Sequence, residues 1–198
     1  MFNCILTICM LIFGVDLSHH NKVNIADLPD SIEFVYAKAS EGKNFTDKRY
    51  KTYKQQCREQ NKLFGAYHFW SLKSSGQEQF EHFKKVAGKD LDLIPVLDLE
   101  WADEEYNPFV QNKEVKVFIK LCEEYYGVKP IIYSPSKFYL LYLVLDFWDC
   151  KYWCSTLANT WFNIINHKAV ITQVKINKDI DVNYVKDLNS IKRHIPSH

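Results

Sequence analysis

The sequence predicts an α/β protein, an irregular TIM-like β/α barrel of about eight strands with roughly five regular helices. Short apolar runs alternate with longer amphipathic stretches, which is typical of parallel strands joined by helices. The run at residues 94–101 is apolar apart from two acids, as expected for a parallel strand covered on both faces. Eight such runs in 198 residues favour a compact closed barrel. An open doubly wound sheet is the alternative, but nucleotide binding has no support because no Gly-x-Gly-x-x-Gly or Walker-type loop occurs.

The predicted elements follow in order along the chain. The strands are placed at residues 13–17, 34–39, 64–69, 93–99, 131–134, 152–154, 170–174 and 180–182. Helical patterns cover residues 48–61, 77–87 and 113–126, the last ended by Gly127, and residues 136–145 form a further candidate. The last three connections look too short or irregular for full helices, so a less regular final third is expected.

Composition indicates one globular domain without a nucleic-acid partner. The chain is 47% hydrophobic and carries 25 basic and 24 acidic residues, for a net charge of +1, with no basic stripe or acidic tail. Residues 1–12 form a separate apolar segment, and residues 13–198 are predicted to be a single barrel domain. The segment lacks a preceding Lys or Arg and a small-x-small cleavage site, and it is too short for a membrane span. A degenerate export signal, an uncleaved anchor and an ordered extension all remain open.

The six cysteines have neither disulfide-scaffold nor zinc-site spacing. We expect unpaired, partly buried thiols, with a bridge or a metal half-site between Cys150 and Cys154 as the alternative. No metal is predicted. A hard-cation site is the competing interpretation of the clustered acids described next, but no His-x-x-x-His motif or calcium-type loop supports it.

Asp98 and Glu100 are the most informative pair in the chain. A strand has a side-chain period of two, so both carboxylates lie on one face. Holding two carboxylates on a buried strand is costly unless they have a use, and the use that fits best is acid-assisted cleavage of a glycosidic bond. The alternative is an acidic rim on a solvated strand end.

Other predicted strand ends carry polar groups as well. Asp16 lies in the first strand, and Asp181 and Asn183 share a face of the last. Clustered acids drive pKa values apart and keep one member protonated near neutral pH. Lys38 and Glu41 are interpreted as a structural ion pair.

Several aromatic and amide side chains are candidates for sugar contacts. For the aromatic residues at the third strand, core packing is the alternative, and a lone His68 there is interpreted as a hydrogen-bonded core residue. The candidate binding residues are Tyr67, Trp70, Trp101, Tyr133, Trp153, Gln173 and Asn183.

Six segments occur in the order seen in glycoside hydrolase family 25, the Chalaropsis-type lysozymes or N-acetylmuramidases. The sequence resembles this family over about residues 13–190. The segments are GVDLS at 14–18, AKASEG at 37–42, FGAYHF at 64–69, PVLDLE at 95–100, IYS at 132–134 and DVN at 181–183.

The resemblance implies hydrolysis of the β-1,4 bond between N-acetylmuramic acid and N-acetylglucosamine in peptidoglycan, with net retention. It implies Glu100 as the general acid, Asp98 as the second catalytic carboxylate, and Asp16 and Asp181 as supporting acids. It also implies no cofactor. The expected partners are peptidoglycan glycan strands, with no nucleic acid and no obligate protein partner. We expect a monomer that is secreted or associated with the cell envelope.

Two departures from the family pattern bear on substrate fit. Thr172 stands before Gln173 where many members carry Trp, and Cys154 lies in a Trp-Cys-Ser segment where Trp-Ile-Ala is usual. Two other functions stay open, a non-catalytic wall-binding module and a glycosidase for another amino-sugar polymer such as chitin. The presence of both Asp98 and Glu100 disfavours the binding module.

Overall fold

A computed structural model describes residues 11–100, 106–155, 169–175 and 180–194. Within these ranges the strands are β1 (Ile12–Leu17), β2 (Ile32–Glu41), β3 (Phe45–Thr46), β4 (Leu63–Phe69), β5 (Val96–Asp98), β6 (Ile131–Ser134), β7 (Tyr152–Ser155), β8 (Ala169–Lys175) and β9 (Asp181–Val185). The helices are α1 (Tyr50–Glu59), α2 (Gly76–Ala87), α3 (Pro108–Tyr126) and the short α4 (Ser136–Phe138), which continues as a π-helical turn over Tyr139–Leu143. The described residues thus contain four α-helices, where the sequence predicted about five.

Eight of these strands close into a barrel, which confirms the predicted fold class. The strand order is β1-β9-β8-β7-β6-β5-β4-β2, and β1 pairs with β2 to complete the circle. The short β3 lies outside the circle and pairs antiparallel with the end of β2. The parallel pairings run from β1 through β2, β4, β5, β6 and β7 to β8.

The last strand departs from the predicted parallel arrangement. β9 runs antiparallel to both β8 and β1, because the connection at residues 176–180 is too short for the crossover that a parallel return requires. Asp181 therefore lies at the start of its strand, not at its carboxyl end. The reversal nevertheless brings Asp181 to the rim where the parallel strands end, directly opposite Asp16 on β1.

The helix ends follow from local sequence. α2 begins with a capping box, in which the Ser75 side chain and Glu78 satisfy each other's backbone N–H groups. α3 starts five residues before its predicted start, because Asn107 caps it and Pro108 suits the first helical turn. It ends at Gly127, as predicted, in a left-handed conformation with φ of 77°.

Two apolar cores lie on either side of the barrel wall. The outer core lies between strands and helices and includes Phe64, Phe83 and Phe118. The inner core fills the barrel below its mouth and includes Phe34 and Tyr36. Their rings take space that only glycine leaves free, since a Cβ on Gly14 or Gly65 would lie 2.3 Å from the Phe34 or Tyr36 ring, respectively.

The cysteines of the described residues match the expectation of unpaired thiols. Cys57, Cys122, Cys150 and Cys154 are all free and buried; Cys4 and Cys9 lie outside the described ranges, as does most of the apolar segment at residues 1–12. In the part of the chain that the structure describes, no helix has both the length and the apolar character needed to cross a membrane.

Candidate active site

A cavity of about 300 Å³ opens at the carboxyl-terminal mouth of the barrel. Parallel barrels present the ends of several strands together at this face, so residues distant in sequence meet there. All four predicted acids line the cavity. The lining residues are Asp16, Ser18, His20, Asn21, Tyr67, Val96, Asp98, Glu100, Tyr133, Trp153, Gln173 and Asp181.

Asp98 is the last residue of β5, and its side chain is almost fully buried, with 8% of the residue exposed. Its backbone is fixed on the β4 side, where the Trp70 N–H donates to the Asp98 carbonyl at 3.0 Å. No group in the described part of the chain donates to its buried Oδ1. Glu100 follows two residues later and is half-buried. The cavity therefore holds a buried carboxylate oxygen whose hydrogen-bonding capacity is unused.

Burial raises the pKa of both members of this pair. For Asp98, desolvation is the largest cause, and the neighbouring Glu100 charge adds to it. For Glu100, desolvation again leads, and Asp181 raises the pKa further while Lys38 and Tyr133 oppose the rise. Two coupled carboxyls with raised pKa values share one proton over a wide pH range. Such a pair can supply an acid and a negative charge at the same time.

Asp16 is held by two amides from the far end of the chain. Asn183 Nδ2 donates to Asp16 Oδ2 at 2.7 Å, and Gln173 Nε2 donates to the same oxygen at 3.1 Å. Desolvation raises the pKa of Asp16 to about 7, with Asp181 and Glu100 adding to the rise and the two amides opposing it. Asp16 therefore changes charge near neutral pH.

The aromatic residues of β6 and β7 orient those amides. The Tyr133 hydroxyl donates to Gln173 Oε1 at 2.9 Å, and Trp153 Nε1 donates to Asn183 Oδ1 at 3.1 Å. The two rings pack edge to face, with centroids 5.5 Å apart. These contacts fix which way each amide points, so that both NH₂ groups face Asp16.

Two tyrosine hydroxyls also face the acids. Burial and the nearby carboxylates raise the pKa of Tyr67 and Tyr133 far above that of a free phenol. Both phenols therefore stay protonated, and the Tyr133 hydroxyl uses its proton in the hydrogen bond to Gln173 Oε1.

Some predicted binding residues are placed elsewhere. Trp70 is fully buried in the outer core, where it packs against Phe118 and donates from Nε1 to Gln111 at 3.1 Å. This corrects its prediction as a sugar platform, because it lies on the opposite side of the barrel wall from Tyr67. Asn183 is fully buried and supports Asp16 without lining the cavity. Trp101 lies outside the described residues.

His68 belongs to the same outer core. It shares hydrogen bonds with Ser40 Oγ at 2.9 Å and with Gln79 Oε1 at 3.1 Å. Burial lowers the pKa of the imidazole to about 3, so the ring stays neutral. This agrees with its interpretation as a hydrogen-bonded core residue.

One wall of the cavity is formed by residues that the sequence did not predict to be functional. Ser18, His20 and Asn21 follow β1 and line the cavity, and the turn is held by Asp47, whose side chain is fully buried. Asp47 Oδ2 accepts from the His19 N–H at 2.9 Å and lies 2.7 Å from His19 Nδ1. The only available signal was the polar run after the first strand, which does not reveal a partner 28 residues away.

The predicted ion pair is present at the edge of the cavity. Lys38 Nζ lies 2.7 Å from Glu41 Oε2 and 4.4 Å from the centroid of the Phe69 ring.

Among the described side chains, no group of three or more His, Cys, Asp or Glu residues is arranged to hold a metal ion. The raised pKa values of Asp98 and Glu100 suit this site to acid–base chemistry by carboxyl groups.

Comparison with known proteins agrees with this geometry. YegX from Escherichia coli K12 is 31% identical over 150 residues, which is 72% of this chain and 55% of YegX, so the chain spans about half the length of that relative. A family 25 glycosyl hydrolase from Bacillus anthracis is 26% identical, with a TM-score of 0.77 over 88% of each chain. A muramidase from Trichobolus zukalii is similar in fold, with a TM-score of 0.79 at 21% identity, covering 90% of this chain and 95% of that one.

The family profile extends from the first barrel strand to Gln173, one of the two amides that hold Asp16. The profile described as glycosyl hydrolases family 25 matches residues 15–173, which include Asp16, Asp98, Glu100 and Gln173. Together with the closed barrel and the acids at its mouth, this match shows that the chain belongs to glycosyl hydrolase family 25.

Proposed function

We propose that the chain is a lysozyme, an N-acetylmuramidase that hydrolyses the β-1,4 bond between N-acetylmuramic acid and N-acetylglucosamine in peptidoglycan. The observation that carries the proposal is the Asp98–Glu100 pair, with its unused buried oxygen, at the mouth of a family 25 barrel. The similar structures support it, since one is a muramidase from Trichobolus zukalii and another a family 25 lysozyme from Aspergillus fumigatus. A peptidoglycan substrate places the proposed site of action at the cell envelope or outside the cell.

The proton of the acid pair has to be on Glu100 when the bond breaks. In the free protein the deeper burial of Asp98 favours the proton on that residue. A substrate acetamide N–H that donates to Asp98 Oδ1 would stabilise the ionised form of Asp98. The shared proton then resides on Glu100, which donates it to the departing glycosidic oxygen. Substrate binding thus prepares the acid.

The proposed reaction retains the anomeric configuration. The acetamido carbonyl oxygen of the substrate attacks the anomeric carbon as the bond to the leaving oxygen breaks, and Asp98 orients and stabilises the acetamide. Glu100, now ionised, takes a proton from water, and the resulting hydroxide opens the cyclic intermediate. Direct attack by Asp98 is the alternative retaining route, and a glycosyl–Asp98 adduct in intact-protein mass spectrometry would favour it. An initial α-anomer in proton NMR would contradict retention.

The decisive experiment is digestion of bacterial wall material followed by mass spectrometry of the muropeptides. We expect reducing-end N-acetylmuramic acid from the unmodified protein. Glu100→Gln keeps the side-chain shape but removes the acid, so turnover should fall at least ~100-fold. Glu33→Gln, an exposed glutamate on β2, is the matched control and should keep full activity.

Other outcomes would identify the competing functions. Binding to walls without lysis by the unmodified protein would indicate a wall-binding module. Cleavage of chitin with no release of muropeptides would indicate a glycosidase for another amino-sugar polymer. Near-normal turnover by Glu100→Gln would refute the role of Glu100.

A further inference from the structure

Lys38 is a nearly buried cation at the edge of the acid cluster. Its side chain is 10% exposed, a degree of burial that lysine rarely reaches without a partner. The ammonium group lies 2.7 Å from Glu41 Oε2 and 4.4 Å from the centroid of the Phe69 ring. Because Glu41 is 40% exposed, solvent screens much of its charge, whereas the charge on Lys38 is screened far less.

The strand register directs this cation towards the acid pair. Lys38 on β2 is paired with Tyr67 on β4, and Phe69 on β4 is paired with Asp98 on β5. Residues paired in parallel register share a face, as do residues two apart on one strand. Lys38, Phe69 and Asp98 therefore lie on the inner face of the mouth, with the ammonium group resting on the ring next to Asp98.

Among the described residues, the charges that act most strongly on the Asp98–Glu100 pair are acidic, apart from that of Lys38. Among the described residues, Lys38 is the fixed positive charge that acts on both acids and lowers the pKa of each. The other titratable or charged groups that face the pair are Asp16 on β1, Glu41 on β2, Tyr67 on β4, Tyr133 on β6, Asp181 on β9 and His20 in the loop after β1.

We propose that Lys38 is a positioning residue that keeps one negative charge, and therefore one proton, on the Asp98–Glu100 pair at neutral pH. Without it, two buried acids near Asp16 and Asp181 would take up a second proton, and Asp98 could not be ionised while Glu100 remains protonated. This inference rests on the proposed lysozyme function. Lys38 acts through the acids and has no assigned contact with substrate.

The test compares three variants by their pH profiles of kcat/KM on wall material. Lys38→Met removes the positive charge, so the acidic limb should move up by about one pH unit. Lys38→Arg keeps the charge and should leave the limb within a few tenths of a pH unit of its original position. Glu41→Gln removes a negative charge beside Lys38, so the limb should move down by a few tenths of a pH unit. A purely structural role for Lys38 gives no reason for shifts of opposite sign.

Titration of ¹³C-labelled carboxyl groups by NMR, without substrate, tests the same point independently of activity. If the unmodified protein hydrolyses nothing, the proposed function fails, while the carboxyl titration still tests Lys38. Unmoved Asp98 and Glu100 titrations in Lys38→Met would overturn the proposal, and so would an upward shift in Glu41→Gln. Should Lys38→Met not fold, Lys38→Gln removes the same charge with a polar side chain, and unmoved Asp98 and Glu100 titrations in it would equally overturn the proposal.

Discussion

Asp16 should make the stability of this protein fall as the pH rises through neutrality. Its pKa is raised from 3.8 to about 7 by burial, so the folded protein binds a proton that the unfolded chain releases. The contribution of this group to stability is therefore fully present below about pH 4 and is lost as the pH rises to about 7. The rise of about three pH units corresponds to at most about 4 kcal/mol. Because the titration of Asp16 is coupled to Asp181 and Glu100, we expect the free energy of unfolding to fall by about 2 kcal/mol between pH 5 and pH 8.

Asp16→Asn isolates this contribution. The Asn oxygen can still accept from Asn183 and Gln173, but it never ionises. Urea unfolding should show the variant gaining about 2 kcal/mol relative to the unmodified protein between pH 5 and pH 8. Asp30→Asn, at an exposed position, is the control and should give a difference independent of pH. A pH-independent difference for Asp16→Asn as well would refute the assignment of a buried, neutral-pH carboxyl to this position.

Two further substitutions test support and packing around the site. Asp47→Ala leaves the His19 N–H, the His19 ring and the Arg49 N–H without their acceptor, so denaturant unfolding should show a loss of about 3 kcal/mol. KM should rise more than kcat falls, because the turn that follows β1 loosens. An unchanged KM would argue against this reasoning. Asp47→Asn should show a smaller loss of stability and a smaller rise in KM. Trp70→Phe loses the bond to Gln111 and should cost about 1 kcal/mol of stability with KM unchanged. A tenfold rise in KM would instead indicate that Trp70 contacts sugar.

Local patterns in the sequence were sufficient to predict the barrel fold and to place Asp98 and Glu100 on a common face. The period of two placed Asp98 and Glu100 on one face, and both line the cavity. The same period, applied from His68, would have placed Trp70 on the outer face, because residues 68 and 70 share a side of the strand. Trp70 was instead predicted to contact sugar, because aromatic side chains commonly stack on sugar rings.

Other features depend on tertiary partners that no local pattern reveals. The direction of β9 is set by a short connection and by pairing with β1, so the location of Asp181 was predicted on the wrong premise of a parallel strand. The bond between His19 and Asp47 joins positions 28 residues apart. Similarly, Asn183 was expected to bind substrate, but it is fully buried and is hydrogen-bonded to Asp16 and Trp153.

The pairing of β9 with β1 also determines when the protein can become active during folding. Asp16 meets Asn183, which lies 167 positions further along the chain. Such non-local contacts form late because loop closure is entropically costly. On a ribosome, Asp16 remains without its amide partners until the last strand has emerged and closed the circle. The acid cluster is therefore complete only when the whole barrel has folded. In partly folded chains, Asp98 and Glu100 lack the surroundings that raise their pKa values.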